Sequence, residues 1–310
     1  MIPIFVLISA LQKAVRRCET NDARYFAQEF IEMGKPGGVL TRLTIIAAED
    51  IGLADATFLK YVRDCSDTFE TMLKERDATR STVSDFPELR AVIDQAVIAA
   101  ALCYKSRLFP MLSFATLFDI YKKEDFAHDS SEYAKRFQAA IRRQDEKEAA
   151  YYGYLLALIL DSRDSVLEIT QEESKTRNTK LIEEWTQEYT RTKERLMLAG
   201  IISLLCRDLN FPHGEYRDRV TDYLSLPIEK TTVPDRAYDT HTSAGRKKGR
   251  GLEHFLNEGA IVVNERFPND WEAQGREAYL QAEKVGLAKS AKLIQAIKEK
   301  LREISRKETP

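Results

Sequence analysis

Residues 11–31 read LQKAVRRCETNDARYFAQEFI, with apolar side chains recurring every three or four residues on both sides of CETND (18–22). This spacing places them on one face of an α-helix, while CETND supplies turn-forming and helix-capping residues. The stretch therefore predicts two helices joined by a tight turn. A similar stretch, FQAAIRRQDEKEAAYYGYLLA, occupies residues 137–157 at a constant offset. The similarity indicates either a duplicated helical hairpin or two amphipathic hairpins that resemble each other by chance.

The helical spacing continues over most of the chain. GKPGG (34–38) interrupts it, and residues 89–102 and 196–206 are apolar enough to predict buried helices. Near 210–260 the spacing is lost and turn-forming residues are frequent, which predicts a loop-rich arm. The fold class is therefore all-α. We expect three regions: a helical assembly region over 1–112, a helical insertion or second half over 113–207, and the loop-rich arm with a charged C-terminal helix over 208–310.

The charges of the chain are nearly balanced, with 47 Lys and Arg against 49 Asp and Glu and a net charge of -2 at pH 7. Such a chain has no bulk attraction to nucleic acid or membranes, so any DNA contact must come from a local patch. The four cysteines lack CxxC spacing, which favours reduced structural thiols in a cytoplasmic protein. The N-terminal apolar run lacks the basic region and cleavage site of a signal peptide. No segment approaches the roughly 20 apolar residues of a membrane span.

The sequence lacks the common catalytic motifs. It contains no GxxxxGK[ST] phosphate loop, no GxSxG, no HExxH and no dinucleotide-binding fingerprint. GKPGG has neither the spacing nor the Ser or Thr that a phosphate loop needs. We therefore predict a protein without enzymatic activity and without a cofactor.

The segment AAEDIGLAD (47–55) places three carboxylates close together. Glu49 and Asp50 are neighbours on a predicted helix, where successive side chains diverge by about 100°, so they should not share a metal ion. Asp55 is expected to cap the next helix after Gly52. Arg42 lies two helical turns before Glu49 and is a candidate ion-pair partner. The segment is thus interpreted as a structural corner rather than as an active site.

The segment 238–260 collects side chains that bind metals in other proteins: Asp239, His241, His254 and Glu258. Their spacing matches no standard zinc pattern, and such residues near turns also cap the backbone. A metal-dependent enzyme, for example a nuclease, is therefore an alternative hypothesis. The sequence predicts no bound metal.

The same segment carries four cations flanked by glycines: Arg246, Lys247, Lys248 and Arg250. Cations beside exposed backbone amides bind phosphate. The loop is therefore a candidate DNA or phosphate contact, and the alternatives are a solvated basic loop or a subunit contact.

Three stretches, ISALQKAVRR (8–17), DARYFAQEFIEMG (22–34) and VLTRLTIIAAEDIGLADATFL (39–59), resemble the C-terminal portion of the replication-associated recombination protein A family. These are clamp-loader-related AAA+ ATPases, also known as maintenance-of-genome-stability proteins. Two later features are similar as well: the apolar helix that ends in Lys105-Ser106, and the turn containing Asp239 and His241. The positions that follow the family pattern are Ile8, Ser9, Lys13, Arg16, Asp22, Ala23, Tyr25, Gly34, Arg42, Leu43 and Ala48–Asp55.

The resemblance implies a helical assembly domain like a clamp-loader collar. It also implies a homo-oligomer, a tetramer in the family, which engages single-strand-binding protein and DNA. The family's ATPase and lid domains are not found in the sequence, so we expect any ATPase to be a separate AAA+ chain, in a nucleoid-associated, viral or mobile-element context. The leading hypothesis is a non-enzymatic oligomerisation or scaffold protein of DNA replication, repair or recombination, ahead of the DNA-binding and metal-dependent alternatives.

Overall fold

The computed structural model describes residues 2–123, 130–176, 178–209, 213–266 and 270–308. Within these ranges the regular structure is helical, and strand-like pairing is confined to an isolated bridge between Lys105 and Glu265. The predicted all-α fold class is confirmed. In the same ranges no helix is both long enough and apolar enough to cross a membrane.

Single turns of 3₁₀ or π geometry lie between several of the helices. In chain order they are α1 (Ile4–Arg16), α2 (Thr20–Glu32), α3 (Pro36–Ile46), α4 (Phe58–Glu75), α5 (Pro87–Leu102), α6 (Leu108–Lys122), α7 (Ser130–Arg142), α8 (Glu146–Tyr154), α9 (Arg163–Glu173), α10 (Thr179–Thr192), α11 (Arg195–Cys206), α12 (Arg217–Leu224), α13 (Ser243–Lys247), α14 (Leu252–His254), α15 (Glu272–Lys284) and α16 (Ser290–Glu308).

The chain forms two compact units, and each consists of two separate segments. The first unit contains Met1–Arg107 and Pro212–Pro268, and the second contains Leu108–Phe211 and Asn269–Pro310. The sequence predicted region boundaries after residues 112 and 207. The chain passes from one unit to the other nearby, after residues 107 and 211. The third region is divided, because its loop-rich part packs with α1–α5 while α15 and α16 pack with α6–α11.

The two hairpins suggested by the sequence are formed by α1 with α2 and by α7 with α8. The first helix has 13 residues in both hairpins. The aligned turn residues Cys18 and Gln144 both adopt left-handed backbone conformations, with φ of 60° and 59°. A left-handed residue commonly ends a helix because it lets the N–H groups that follow bond to the last carbonyl groups of the helix. The predicted helix pairs are confirmed, and their matching turns are consistent with a duplicated hairpin.

The two apolar segments form the predicted buried helices, one in each unit. In the first unit, α2, α4 and α12 pack around α5, whose side chains from Ala96 to Ala101 are fully buried. In the second unit, α10 crosses α11 where Gly200 lies under the ring of Trp185. A glycine at this position permits the close approach, because an added Cβ would lie 2.3 Å from the ring.

Candidate functional site

The acidic segment forms a break between α3 and α4. Residues Ala47–Ile51 make a π turn, and Gly52–Asp55 make a 3₁₀ turn. Gly52 joins the two turns with φ of 52° and ψ of -133°, a conformation that side chains disfavour. The segment predicted to be an ordinary helix end is therefore a two-part corner, and its irregular backbone sets the directions of the three carboxylates.

Asp50 is the most deeply buried carboxylate of this corner, with 0% of the residue exposed. Its Oδ1 accepts a hydrogen bond from Arg16 Nε at 2.7 Å, and its Oδ2 accepts one from Gln12 Nε2 at 2.8 Å. Arg107 Nε lies 3.8 Å from Oδ1. A buried charge requires such partners because removing it from water costs several kcal/mol.

Glu49 is directed toward the same partners as Asp50, although 24% of its side chain is exposed. Gln12 Nε2 donates to its Oε2 at 2.9 Å, and Arg16 and Arg107 lie 3.8 and 3.9 Å from its Oε1. Burial alone would raise the pKa of Glu49, but the two guanidinium groups and the Gln12 hydrogen bond lower it to about 2.

Two expectations about this corner are corrected by these contacts. Glu49 and Asp50 were expected to diverge too far to share a metal ion, but their carboxylates converge on the same amide and guanidinium groups of α1. Arg42 was expected to face Glu49, but its Nη1 donates to Gln12 Oε1 at 3.2 Å. Glu49 therefore acts on Arg42 only as a nearby charge, and burial lowers the pKa of Arg42.

Asp55 also has a different role from the predicted helix cap. The residue before α4 is Thr57, whose side chain makes no capping bond to the helix backbone. Asp55 Oδ1 accepts from the Thr57 hydroxyl at 2.7 Å, and its Oδ2 accepts from the backbone N–H of Gly214 at 2.8 Å. The carboxylate therefore ties the corner to the start of the loop-rich arm instead of capping α4.

The Lys-Ser pair after α5 is joined to the acidic corner. Lys105 is fully buried, and its Nζ donates to the carbonyl oxygens of Ala100 at 3.0 Å, Ala101 at 3.2 Å and Cys103. The ammonium group therefore supplies hydrogen bonds to carbonyl groups at the end of α5, where the helix itself has no further N–H donors. The next residue, Ser106, donates its backbone N–H to the Asp50 carbonyl oxygen at 2.9 Å.

The arm contributes Asp239, whose carboxylate is fully buried. Lys13 Nζ lies 2.6 Å from its Oδ2, and the His241 backbone N–H donates to its Oδ1 at 2.9 Å. Burial would raise the pKa of Asp239, but the hydrogen bond with the His241 side chain and the Lys13 charge lower it. Burial outweighs these attractions for Lys13 and lowers its pKa to about 8.

Arginines fasten the end of the arm to α1 and to the segment after α5. Arg16 Nη1 donates to the Gly259 carbonyl oxygen, and Arg107 Nη1 donates to that of Ala260 at 3.2 Å. Both guanidinium groups also lie near the ring of Phe255, at 6.0 and 5.4 Å from its centroid. Three parts of the first unit that are distant in sequence therefore meet at one ion network.

The four possible metal ligands of the arm do not form a ligand cluster. Asp239 is occupied by Lys13, whereas 61% of the His241 side chain is exposed. Glu258 is on the surface, and its backbone carbonyl rather than its carboxylate is bound by Arg17. Across the described ranges no group of three or more His, Cys, Asp or Glu side chains is arranged to hold a metal ion. The geometry therefore lends no support to the metal-dependent alternative.

Three of the four cations of the basic loop make contacts within the arm, and the fourth, Lys247, is exposed. Lys248 Nζ lies 3.2 Å from Asp235 Oδ1, and Arg250 pairs with the same carboxylate. Arg246 donates to the Thr240 carbonyl oxygen at 2.9 Å, while Lys247 is exposed at the end of α13. The loop is therefore less basic than its sequence suggests.

A pocket of about 300 Å³ opens beside the ion network. It combines the charged side chains of α1 and the acidic corner with the rings of Phe5 and Phe255. The carboxylates that face this region are already matched by guanidinium, ammonium or amide groups. This arrangement is suited to holding helices together. In the same pocket the Ser9 hydroxyl accepts a hydrogen bond from Lys13 Nζ at 2.6 Å.

The family comparison agrees with this geometry. Residues 18–127, which include the acidic corner and the Lys-Ser pair, match the family described as MgsA AAA+ ATPase C terminal. This segment is similar to the C-terminal domain of that family. The resemblance inferred from the sequence is confirmed, and the description that matches covers the C-terminal region rather than the ATPase domain.

A curated relative gives the same result. Replication-associated recombination protein A of Bacillus subtilis (strain 168) is 33% identical to this chain over 100 residues. The alignment covers 32% of this chain and 21% of the relative, so the chain spans about a fifth of the relative's length. No solved structure gives a significant match.

The sequence identified the acidic corner but not the contacts made there by α1, although Lys13 and Arg16 are among the positions that follow the family pattern. Gln12, Lys13 and Arg16 lie on the buried face of α1, among apolar side chains. A polar or charged residue at a position that the helical period assigns to the core is the signal that was available. Arg107 had no such signal, because it follows the end of α5.

Proposed function

We propose that this chain is a non-enzymatic scaffold that assembles into an oligomer and acts in DNA replication, repair or recombination. The observation that carries the proposal is the burial of Asp50 between Arg16 and Arg107. The acidic motif thereby joins helices into one body instead of presenting a reactive carboxylate. The MgsA-type match and the name of the relative support the genome-maintenance context.

The proposed assembly resembles a clamp-loader collar, in which helical domains of several subunits pack together. Its partners would be further copies of this chain, three more in the tetramer that the resemblance implies, together with a separate AAA+ ATPase, single-strand-binding protein or DNA. Affinity purification from the native host with mass spectrometry would identify an ATPase or a single-strand-binding protein among them.

Size-exclusion chromatography with light scattering at several micromolar concentrations tests the assembly. We expect a mass of at least twice the chain mass, and a mass of four chains would match the resemblance. A strict monomer over the whole concentration range would refute the proposal.

A second candidate function is DNA binding through the basic loop, favoured by the exposure of Arg246, Lys247 and Lys248. Affinity for forked or single-stranded DNA should fall with rising salt, because each phosphate contact releases counterions. Alanine at Arg246 and Lys247 should weaken binding and reduce the salt slope. Alanine at Lys284 and Lys292, two exposed lysines of the second unit, should not. Equal effects of the two double variants would refute a specific role for the loop.

A further inference from the structure

The first unit has an apolar groove between α2 and α5. Its volume is about 350 Å³, and it is open to solvent along one side. The side chains that line its apolar part are Ala27, Ile31, Ala91, Ile93, Leu224 and Ile228. A groove of this size and composition accommodates an apolar side chain from another molecule.

The segment after α12, residues 225–229, contributes Ile228 to the groove and is fixed to α2. Arg24 Nη1 donates to the carbonyl oxygens of Tyr223 at 2.8 Å and Leu226 at 2.9 Å. Asn21 binds the backbone of Glu229 on both sides, donating to its carbonyl oxygen at 3.1 Å and accepting from its N–H at 2.8 Å. The backbone is thus held in place, while 52% of Leu226 is exposed.

Charges of opposite sign flank the groove and the segment. Arg90 borders the groove, and Glu229 is exposed on the segment. Among the residues that the structure describes, neither side chain forms an ion pair. An exposed apolar side chain, an apolar groove and two complementary charges are therefore neighbours in the first unit.

We propose that two copies of this chain pair through this surface, each placing Leu226 in the α2–α5 groove of the other and Glu229 beside the other's Arg90. A two-fold interface brings the same patch of both copies together, so every contact is made twice. A patch that carries both a protruding side chain and a groove is complementary to itself under this symmetry. The inference rests on the proposed assembly function and identifies one interface of the oligomer.

The apolar contact is tested with two variants, one of the side chain that would be inserted and one of the groove that would receive it. Leu226→Asp would carry a charge into the groove, and Ala91→Phe would fill the groove. Each substitution occurs twice per interface, so we expect the dissociation constant of self-association to rise about a hundredfold or more. Val285→Asp changes a similarly exposed apolar side chain of the second unit and should leave self-association unchanged. Sedimentation velocity over a concentration series measures all three.

The charged contact is tested by reversal. Arg90→Glu and Glu229→Arg should each weaken self-association by roughly tenfold, and the double variant should recover most of the loss. The recovery distinguishes a contact between copies from a folding defect. If Leu226→Asp and Ala91→Phe associate as the wild type does, or the double reversal shows no recovery, the interface is wrong while the assembly function stands. A monomeric wild type would overturn both.

Discussion

Asp50→Asn should destabilise the first unit strongly, because it removes the negative charge and preserves the shape of the side chain. Two unit charges about 4 Å apart attract by about 4 kcal/mol at an effective dielectric constant near 20. Removing one partner of a buried ion pair costs about 3–5 kcal/mol in proteins generally. Glu49 would remain 3.8 Å from Arg16. We therefore expect the lower end of this range, about 3 kcal/mol of unfolding free energy.

Urea unfolding followed by far-ultraviolet circular dichroism measures this cost. Asp64→Asn is the matched control, because Asp64 pairs with Lys60 one turn away on the exposed face of α4. Such a surface pair contributes about 0.5 kcal/mol or less. Both tryptophans, Trp185 and Trp271, belong to the second unit, so their fluorescence reports its unfolding separately. A cost for Asp50→Asn no larger than that for Asp64→Asn would refute the reasoning.

Further substitutions test other parts of the structure. The lowered pKa of Glu49, about 2 against 4.5 for a free carboxyl, stabilises the fold above pH 4.5. The wild type should lose about 3 kcal/mol of unfolding free energy as the pH falls from 4.5 to 2, and Glu49→Gln should lack this loss in an acid titration. Gly245→Ala should lower the melting temperature, because its Cβ would lie 2.0 Å from the Asp239 carbonyl oxygen. Gly200→Ala should cost about 1–3 kcal/mol and also change the fluorescence of Trp185, which would have to move.

Local features of the fold were predictable from the sequence because neighbouring residues determine them. The turn between α1 and α2 is one example, since the apolar period stops at CETND and resumes after it, and the aligned turn at Gln144 has the same backbone conformation. The burial of α11 and of the second half of α5 is another, since a helical stretch that is apolar on all sides has to be covered. The π turn at 47–51 was not predictable, because its sequence also fits an α-helix.

The partners of the acidic motif were beyond sequence reasoning because they are distant in the chain. Asp50 is paired with Arg16, 34 residues away, and Lys13 is paired with Asp239, 226 residues away. Periodicity identifies Lys13 and Arg16 as charges at core positions, and such charges require buried carboxylates. Periodicity does not identify which carboxylates the fold will bring to them. The motif is therefore one half of an ion network. In a chain that kept EDIG but had apolar residues at the positions of Arg16 and Arg107, Asp50 would be buried without a counter-charge.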